Sequence, residues 1–326
     1  GEEGPLAGKT LTPIENHLGG LWSLLRVLSP VLLGSWEQFR GRYAVPIEKF
    51  GDQARRKSLS ALLHPFMLRR MKSEVARDLP PRTEIVKTIS LSDEEQKLYE
   101  ELRLATLEEI ASKKKDPDRD GKDLRFVLLA ALTRLRQLCC HPRLVYPRTH
   151  AGSTKATYLV RLLDELREDG HKALVFSQFR SFLDLLEPRL TQHGFRVLVL
   201  DGTTPAEARE KRIAAFQGGE GDVFLISLKA GGFGLNLTAA DTVIHLDPWW
   251  NPAVEDQATA RAHRMGQQRP VTAVRLVARG TIEEAVLGLH AAKRALASAV
   301  LEGTDIAASL GTEELVDLIL RAAPAR

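Results

Sequence analysis

A chain of 326 residues, 44% hydrophobic and 27% charged, is long enough for one large or two modest domains with their own cores. No apolar run reaches the roughly 20 residues that span a bilayer, and no leader-like segment opens the chain, so no membrane partner is expected. A formal charge of +4 and an isoelectric point near 9.1 are compatible with a nucleic-acid partner but do not establish one.

In chain order, Gly4-Pro-Leu-Ala-Gly8-Lys9-Thr10 is one residue short of a phosphate-cradling loop and lacks a preceding strand. Residues 13–78 read mostly as helix and carry Trp22 and Trp36. Pro80-Pro81 breaks the chain before Glu84–Ile89, a short alternating strand. Ser92 opens a long helical pattern, and the run Asp93-Glu94-Glu95-Gln96 is read as acidic first-turn residues that complement the helix dipole. A polar loop from Lys113 to Lys122 separates it from a second helix, Leu124–Cys140. The only cysteines, Cys139 and Cys140, are adjacent. They can form neither an ordinary disulfide framework nor a zinc site, so buried helix positions and a reducing intracellular compartment are expected.

From residue 151 the pattern changes. Strands are predicted at Ala173–Ser177, Val197–Leu200, Val223–Leu228, Val243–Leu246 and Thr272–Val277. Helices are predicted at Lys155–Glu168, Phe182–His193, Pro205–Gln217 and Ala253–Arg264, with Thr203-Thr204 as a cap before Pro205. Such alternation predicts an α/β fold, a parallel sheet sandwiched by helices. Ligands bind beyond the carboxyl ends of such strands. There begin Ser177-Gln178, Asp201-Gly202, Lys229-Ala-Gly231-Gly232 and Asp247-Pro-Trp249-Trp250. Thr281-Ile-Glu-Glu starts a helix with a capping-box-like opening, running to about Leu301, and a last helix covers Glu313–Arg321. The expected divisions are 1–90, 91–150, 151–302 and 303–326.

Within Gln257-Ala-Thr-Ala-Arg261-Ala-His263-Arg264-Met-Gly266-Gln267, two arginines three apart fall on one face of a helix that Gly266 would end. Their guanidinium forks suit phosphate oxygens. A lone Arg-x-x-Arg is more simply a solvated face, but here its neighbours matter. Together with Ser227-Leu-Lys229-Ala-Gly231-Gly232-Phe-Gly234-Leu-Asn236, Ile244-His-Leu-Asp247-Pro-Trp249-Trp250-Asn251-Pro252, Lys172–Phe179, Leu200–Thr203 and Phe66-Met-Leu-Arg69-Arg70, the segment resembles the SWI/SNF-type remodelling ATPases of helicase superfamily two. The resemblance runs from about residue 11 to about residue 300.

It implies the C-terminal RecA-like lobe, with helical insertions, of an ATP-dependent double-stranded DNA translocase. By that resemblance Arg261 and Arg264 are the arginines that reach across a cleft to the γ-phosphate, Arg264 being the first choice as finger. Gln257 links nucleotide to DNA, and the Gly231-Gly232 turn faces the nucleotide. Ser177, Gln178, Lys229 and Asn236 are implied to hold the DNA backbone without reading sequence, with Trp249-Trp250 in a DNA-contacting coupling loop. Arg69, Arg70 and Lys72 belong to the inter-lobe connector, and Thr10–Asn16 aligns with motif III, with Leu11 where the family usually has glycine. Ala260 is a further departure, since aspartate is frequent there. ATP and Mg²⁺ are implied for the intact two-lobed protein, whose first lobe would be this chain's partner and would bring the phosphate loop and the Mg²⁺ ligands. This chain alone is expected to be inactive. No metal site is assigned, and His141, His171, His193 and His245 are scattered without ligand spacing. A cytoplasmic location is expected, nucleoid-associated in a bacterial source, with a nuclear one in a eukaryotic source. The rival reading is a non-catalytic DNA-binding or protein-docking module. A nucleotide-binding oxidoreductase is third, because Gly231-Gly-Phe-Gly234 lacks the dinucleotide-binding spacing.

Overall fold

The computed structural model describes residues 18–50, 52–66, 79–114, 121–228, 230, 235–297 and 310–322. The chain divides into two compact units, one built from residues 1–78 with 301–305 and the other from 79–300 with 306–326. Gly4–Thr10, Thr10–Asn16, Arg69, Arg70 and Lys72 lie outside the described residues, as do Lys229, Gly231 and Gly232.

The first unit is helical: α1 (Leu18–Leu28), α2 (Trp36–Phe39), α3 (Val45–Phe50) and α4 (Gln53–Leu63). Leu21, Leu25, Phe39, Tyr43, Leu59 and Leu63 form its core. Ser35 caps α2 reciprocally with Gln38, and Trp22 meets Trp36 edge-on at 5.5 Å. A π turn, Arg40–Ala44, joins α2 to α3, with the Val45 N–H donating five residues back to the Arg40 carbonyl. Pro46 is the local cause: it has no N–H to give to residue 42, and its ring crowds that carbonyl, so the helix widens.

The second unit holds a six-stranded sheet in the order β1-β6-β5-β2-β4-β3, parallel throughout. Its strands are β1 (Arg82–Ile89), β2 (Ala173–Ser177), β3 (Val197–Leu200), β4 (Val223–Ser227), β5 (Thr242–His245) and β6 (Val271–Ala278). β1, which the sequence places in the first division, pairs with β6 over eight residues from Arg82↔Val271 to Ile89↔Ala278. β2, β4 and β5 are buried along their whole length, which is why they read as apolar runs and not as alternations.

One face of the sheet packs Val175, Leu225, Ile244 and Leu276 under α7 (Thr154–Glu168) and α8 (Arg180–Gln192). The other packs Leu174, Phe176, Phe224 and Val243 against Phe216 of α9 (Ala206–Gln217) and Ala258 of α10 (Pro252–Thr259). Thr203 and Thr204 do not cap α9, contrary to expectation. Pro205 takes the cap position without a side-chain bond, and both hydroxyls donate to Asp201 at 2.7 and 3.0 Å. Asp201 closes its own turn more tightly than a distant N–H could compete for.

A helical layer completes the unit: α5 (Asp93–Lys114), α6 (Gly121–Cys140), α11 (Ile282–Ala297) and α12 (Thr312–Arg321). Tyr99, Leu128, Leu135, Cys139, Val286, Leu315 and Ile319 form its core, so the last helix docks. Cys139 and Cys140 are buried thiols, and burial raises both pKa values. Glu95 is structural, as expected from its place after Ser92. It accepts from the Ser92 N–H at 2.9 Å and from the Thr154 N–H at 3.0 Å, capping α5 and α7 with one buried carboxylate.

Candidate functional site

α10 starts from Asn251, whose Oδ1 accepts the Ala253 N–H at 3.0 Å, with Pro252 in the first turn. It is fixed to the sheet by charge. Buried Glu255 accepts from Arg275 Nε of β6 at 2.6 Å and from the Trp249 N–H at 2.7 Å. Arg275 also reaches Glu84 of β1 at 2.7 Å, and Arg82 reaches Asp256 at 2.8 Å. Burial alone would raise the Glu255 carboxyl, but His245, Arg275 and the hydrogen bonds outweigh it and hold it below the usual range. Burial pushes His245 down to about 4, so it is neutral near pH 7, and its Nε2 lies 2.9 Å from Thr259 Oγ1. The charge opposing Glu255 at neutral pH is therefore Arg275.

α10 ends at Thr259, so Arg261 and Arg264 do not share a helix face as expected. They lie in a run of turns with N–H donations from Arg261 to Ala258 at 3.1 Å, Ala262 to Thr259 at 3.2 Å and Gln267 to Arg264 at 2.9 Å. The cause is competition for carbonyls. A continuing helix would give the Arg261 and Ala262 carbonyls to residues 265 and 266. Here the Leu237 N–H takes the first at 3.0 Å and Gln267 Nε2 takes the second at 3.1 Å. Gly266 is left-handed at φ 99°, which suits glycine.

Gln267 closes the motif segment, and its role is visible only in the fold. Its two Nε2 protons are shared among the Ala262 carbonyl and those of Ala240 at 2.8 Å and Thr238 at 3.2 Å, while Oε1 accepts the Gln268 and Arg269 N–H groups at 2.9 Å each. It ties the arginine turn to the segment that follows Asn236, itself exposed. Arg261 and Arg264 are half-buried, as is Gln257 in the last turn of α10. The Arg261 pKa is lowered by burial and by the charge of Arg264. Two cations are thus held within range of mutual repulsion, which an anionic oxygen between them would relieve. Guanidinium groups this near each other suit phosphate oxygens.

The ends of β2 and β5 are joined differently. The fully buried Ser177 hydroxyl donates to Asp247 Oδ1 at 2.5 Å, and the Gln178 N–H donates to Asp247 Oδ2 at 3.3 Å. Burial raises the Asp247 pKa against the opposing pull of Arg136 and Ser177. Ser177 thus turns inward, and it is Gln178 that stays half-exposed. Trp250 packs into the helical core and Trp249 packs partly against the sheet core, so neither ring is freely displayed.

Arg136 of α6, not anticipated from sequence, reaches this place. It donates to Gln178 Oε1 at 3.0 Å and to the Pro248 carbonyl, and lies over the Trp250 and Phe179 rings at 5.3 and 5.7 Å. Gln178 Nε2 is buried with no hydrogen-bond partner among the described residues, which costs about 1–3 kcal/mol. A signal for Arg136 existed: Leu128, Leu132, Arg136 and Cys140 recur every four residues along the buried stripe. Lys155 is a second missed residue. Its buried ammonium gives two bonds to Glu283, at 2.6 and 2.7 Å, and one to the Leu246 carbonyl at 2.8 Å, so all three protons are used. No three His, Cys, Asp or Glu side chains gather to hold a metal ion, and no helix is long and apolar enough to cross a membrane, among the described residues.

Two family models match the chain, the SNF2-related domain over residues 10–144 and the helicase conserved C-terminal domain over residues 154–266. A putative ATP-dependent helicase/translocase of Bacillus subtilis is 38% identical over 323 residues, covering 97% of this chain and 34% of that protein. The human SWI/SNF-related matrix-associated actin-dependent regulator of chromatin, subfamily A member 1, is 37% identical over 306 residues, covering 90% of this chain and 29% of that protein. The chain spans about a third of the length of these relatives. Among solved structures, the SWI2/SNF2 ATPase core of Sulfolobus solfataricus in complex with double-stranded DNA superposes with a TM-score of 0.61 at 32% identity, covering 96% of this chain and 65% of that one. Both family models, relatives found along nearly all of the chain and a parallel RecA-like sheet agree, and the chain belongs to the SNF2-related family of ATP-dependent helicases.

Proposed function

We propose that this chain is the second-lobe half of a motor that hydrolyses ATP to move along double-stranded DNA, acting on the DNA backbone and not on base sequence. The observation that carries the reading is the turn after α10. Two arginines repel each other there, and Gln267 and Leu237 hold the turn against the loop that contains Asn236. ATP with Mg²⁺ supplies the reactive phosphoryl group. Arg261 and Arg264 hold its terminal oxygens and balance charge that builds up in the transition state. Gln257, on the helix leading into the turn, responds to the nucleotide, and Gly231 and Gly232 let backbone approach it closely. Lys229 and Asn236 contact phosphates, while Ser177, Gln178 (whose amide nitrogen is buried), Trp249 and Trp250 support those loops from within. The phosphate loop and the metal-holding acids come from a first RecA-like lobe, so this chain by itself turns over ATP no faster than background.

Fluorescence anisotropy across a salt series on two unrelated duplexes tests the reading. Binding should be weak, about 10⁻⁴ to 10⁻⁶ M at physiological salt, equal for both sequences and steeply salt-dependent. Lys229→Ala and Gln178→Ala should weaken both duplexes alike. A marked sequence preference, or an affinity that salt does not move, would favour a docking module instead.

A further inference from the structure

Arg136 on α6 lies outside the motif segments that carry the resemblance. Arg136 is only 2% exposed, and its guanidinium spans two strand-end loops. One fork nitrogen holds Gln178 Oε1 after β2, and the other holds the Pro248 carbonyl after β5, with Asp247 Oδ2 at 3.8 Å. The rings of Phe179 and Trp250, one from each loop, lie within 5.7 and 5.3 Å of the same carbon. A planar fork can hold two fixed acceptors at once, which a lysine ammonium on a flexible stem does less well. Holding Oε1 also settles which way the Gln178 amide faces, since its NH₂ turned towards a guanidinium would oppose donor to donor.

We propose that Arg136 is a positioning residue: a clamp carried by the helical layer that sets the loops after β2 and β5 at one spacing and so shapes the edge they offer to the DNA backbone. The proposal rests on the reading that these loops face DNA. It makes the helical layer part of the DNA-binding surface without touching DNA.

Hydrogen exchange and DNA binding of the full chain test it together. In Arg136→Lys, the amides of Gln178, Phe179, Trp249 and Trp250 should exchange at least about tenfold faster, while those of Val197–Gln217 keep their protection. Duplex affinity should fall about three- to tenfold with an unchanged salt slope, because no phosphate contact is lost. Wild-type exchange at the four loop amides would overturn the clamp. A salt slope reduced by about 1 would also overturn it, since Arg136 would then be a phosphate ligand itself. Should Arg136→Lys not fold, Gln178→Met removes the acceptor from the other side. It should speed exchange at Gln178 and Phe179, and unchanged exchange there rejects the proposal. If the wild-type chain binds no duplex, the DNA reading fails, and the exchange data still decide the clamp.

Discussion

Arg275 and Arg261 are both arginines drawn partly out of water, in settings of opposite sign. Burial lowers the Arg275 pKa, but Glu255 and Glu84 outweigh it and the net shift is upward. Burial also lowers that of Arg261, and there Arg264 adds to the decrease. The first is matched within the chain to the helix it anchors. The turn that carries the second is held by neutral bonds from Gln267 and Leu237 to its backbone carbonyls. The difference teaches what each is for. A matched buried charge fixes a helix to a sheet, while two guanidinium groups close together suit the phosphate oxygens of the function proposed above.

The largest effect should come from the repelling pair. In a two-lobed protein carrying this lobe, Arg264→Ala should cut DNA-stimulated ATP turnover about 10³-fold or more, and Arg261→Ala similarly. Arg189→Ala, whose guanidinium only bonds Thr157 at the surface, should leave the rate near wild type. Near wild-type turnover in Arg264→Ala would remove the functional half of the comparison.

Stability should separate the two arginines in the opposite order. Arg275→Met strands Glu255 and should cost about 3–5 kcal/mol in urea unfolding. Arg261→Met should change stability by no more than about 1 kcal/mol, since it also removes a repulsion. Equal losses from both would mean that Arg261 is structural after all.

Acid probes the matched side, because His245 lies beside Glu255 and Arg275. Its folded pKa of about 4 is below the unfolded value of 6.5, so the neutral form favours folding. That stability is complete above pH 6.5 and is lost as pH falls through about 4, amounting to about 3 kcal/mol by that point. Urea midpoints at pH 7 and pH 4 should show this loss in the wild type. It should be missing from His245→Phe, which keeps the stacking on Phe176. Equal acid sensitivity of the two proteins would show that His245 does not carry this charge cost.

Gln267→Leu probes the tie that holds the arginine turn. It leaves the carbonyls of Thr238, Ala240 and Ala262 without their donor and should cost about 1–3 kcal/mol. Turnover in the two-lobed protein should fall as well, because the arginine turn loses its tie. Full activity would show that the Leu237 bond suffices.

Most of the sheet was legible before any coordinates. Ala173–Ser177 and Val197–Leu200 fall on β2 and β3 as expected, and the remaining strands differ by a residue or two at their ends. Short apolar runs between amphipathic helices determine that much, because burial on both faces leaves few other arrangements. The nature of the Asp93–Gln96 run was also local, set by Ser92 and a helix start. The end of α10 was not. Residues 260–264 have helical composition, and only donors from Leu237 and Gln267, folded back onto their carbonyls, stop the helix.

The sequence by itself therefore determined the family, the order of strands and helices, and which residue types gather at the strand ends, since period and motif spacing are properties of neighbours in the chain. Tertiary structure alone decided where the side chains went. It turned Ser177 inward to Asp247, brought Arg136 across from α6 to Gln178, and matched Arg275 to Glu255 while setting Arg261 against Arg264. These pairings join residues up to 70 positions apart, and charge and hydrogen-bond capacity along a sequence do not say which partner the fold will bring within reach.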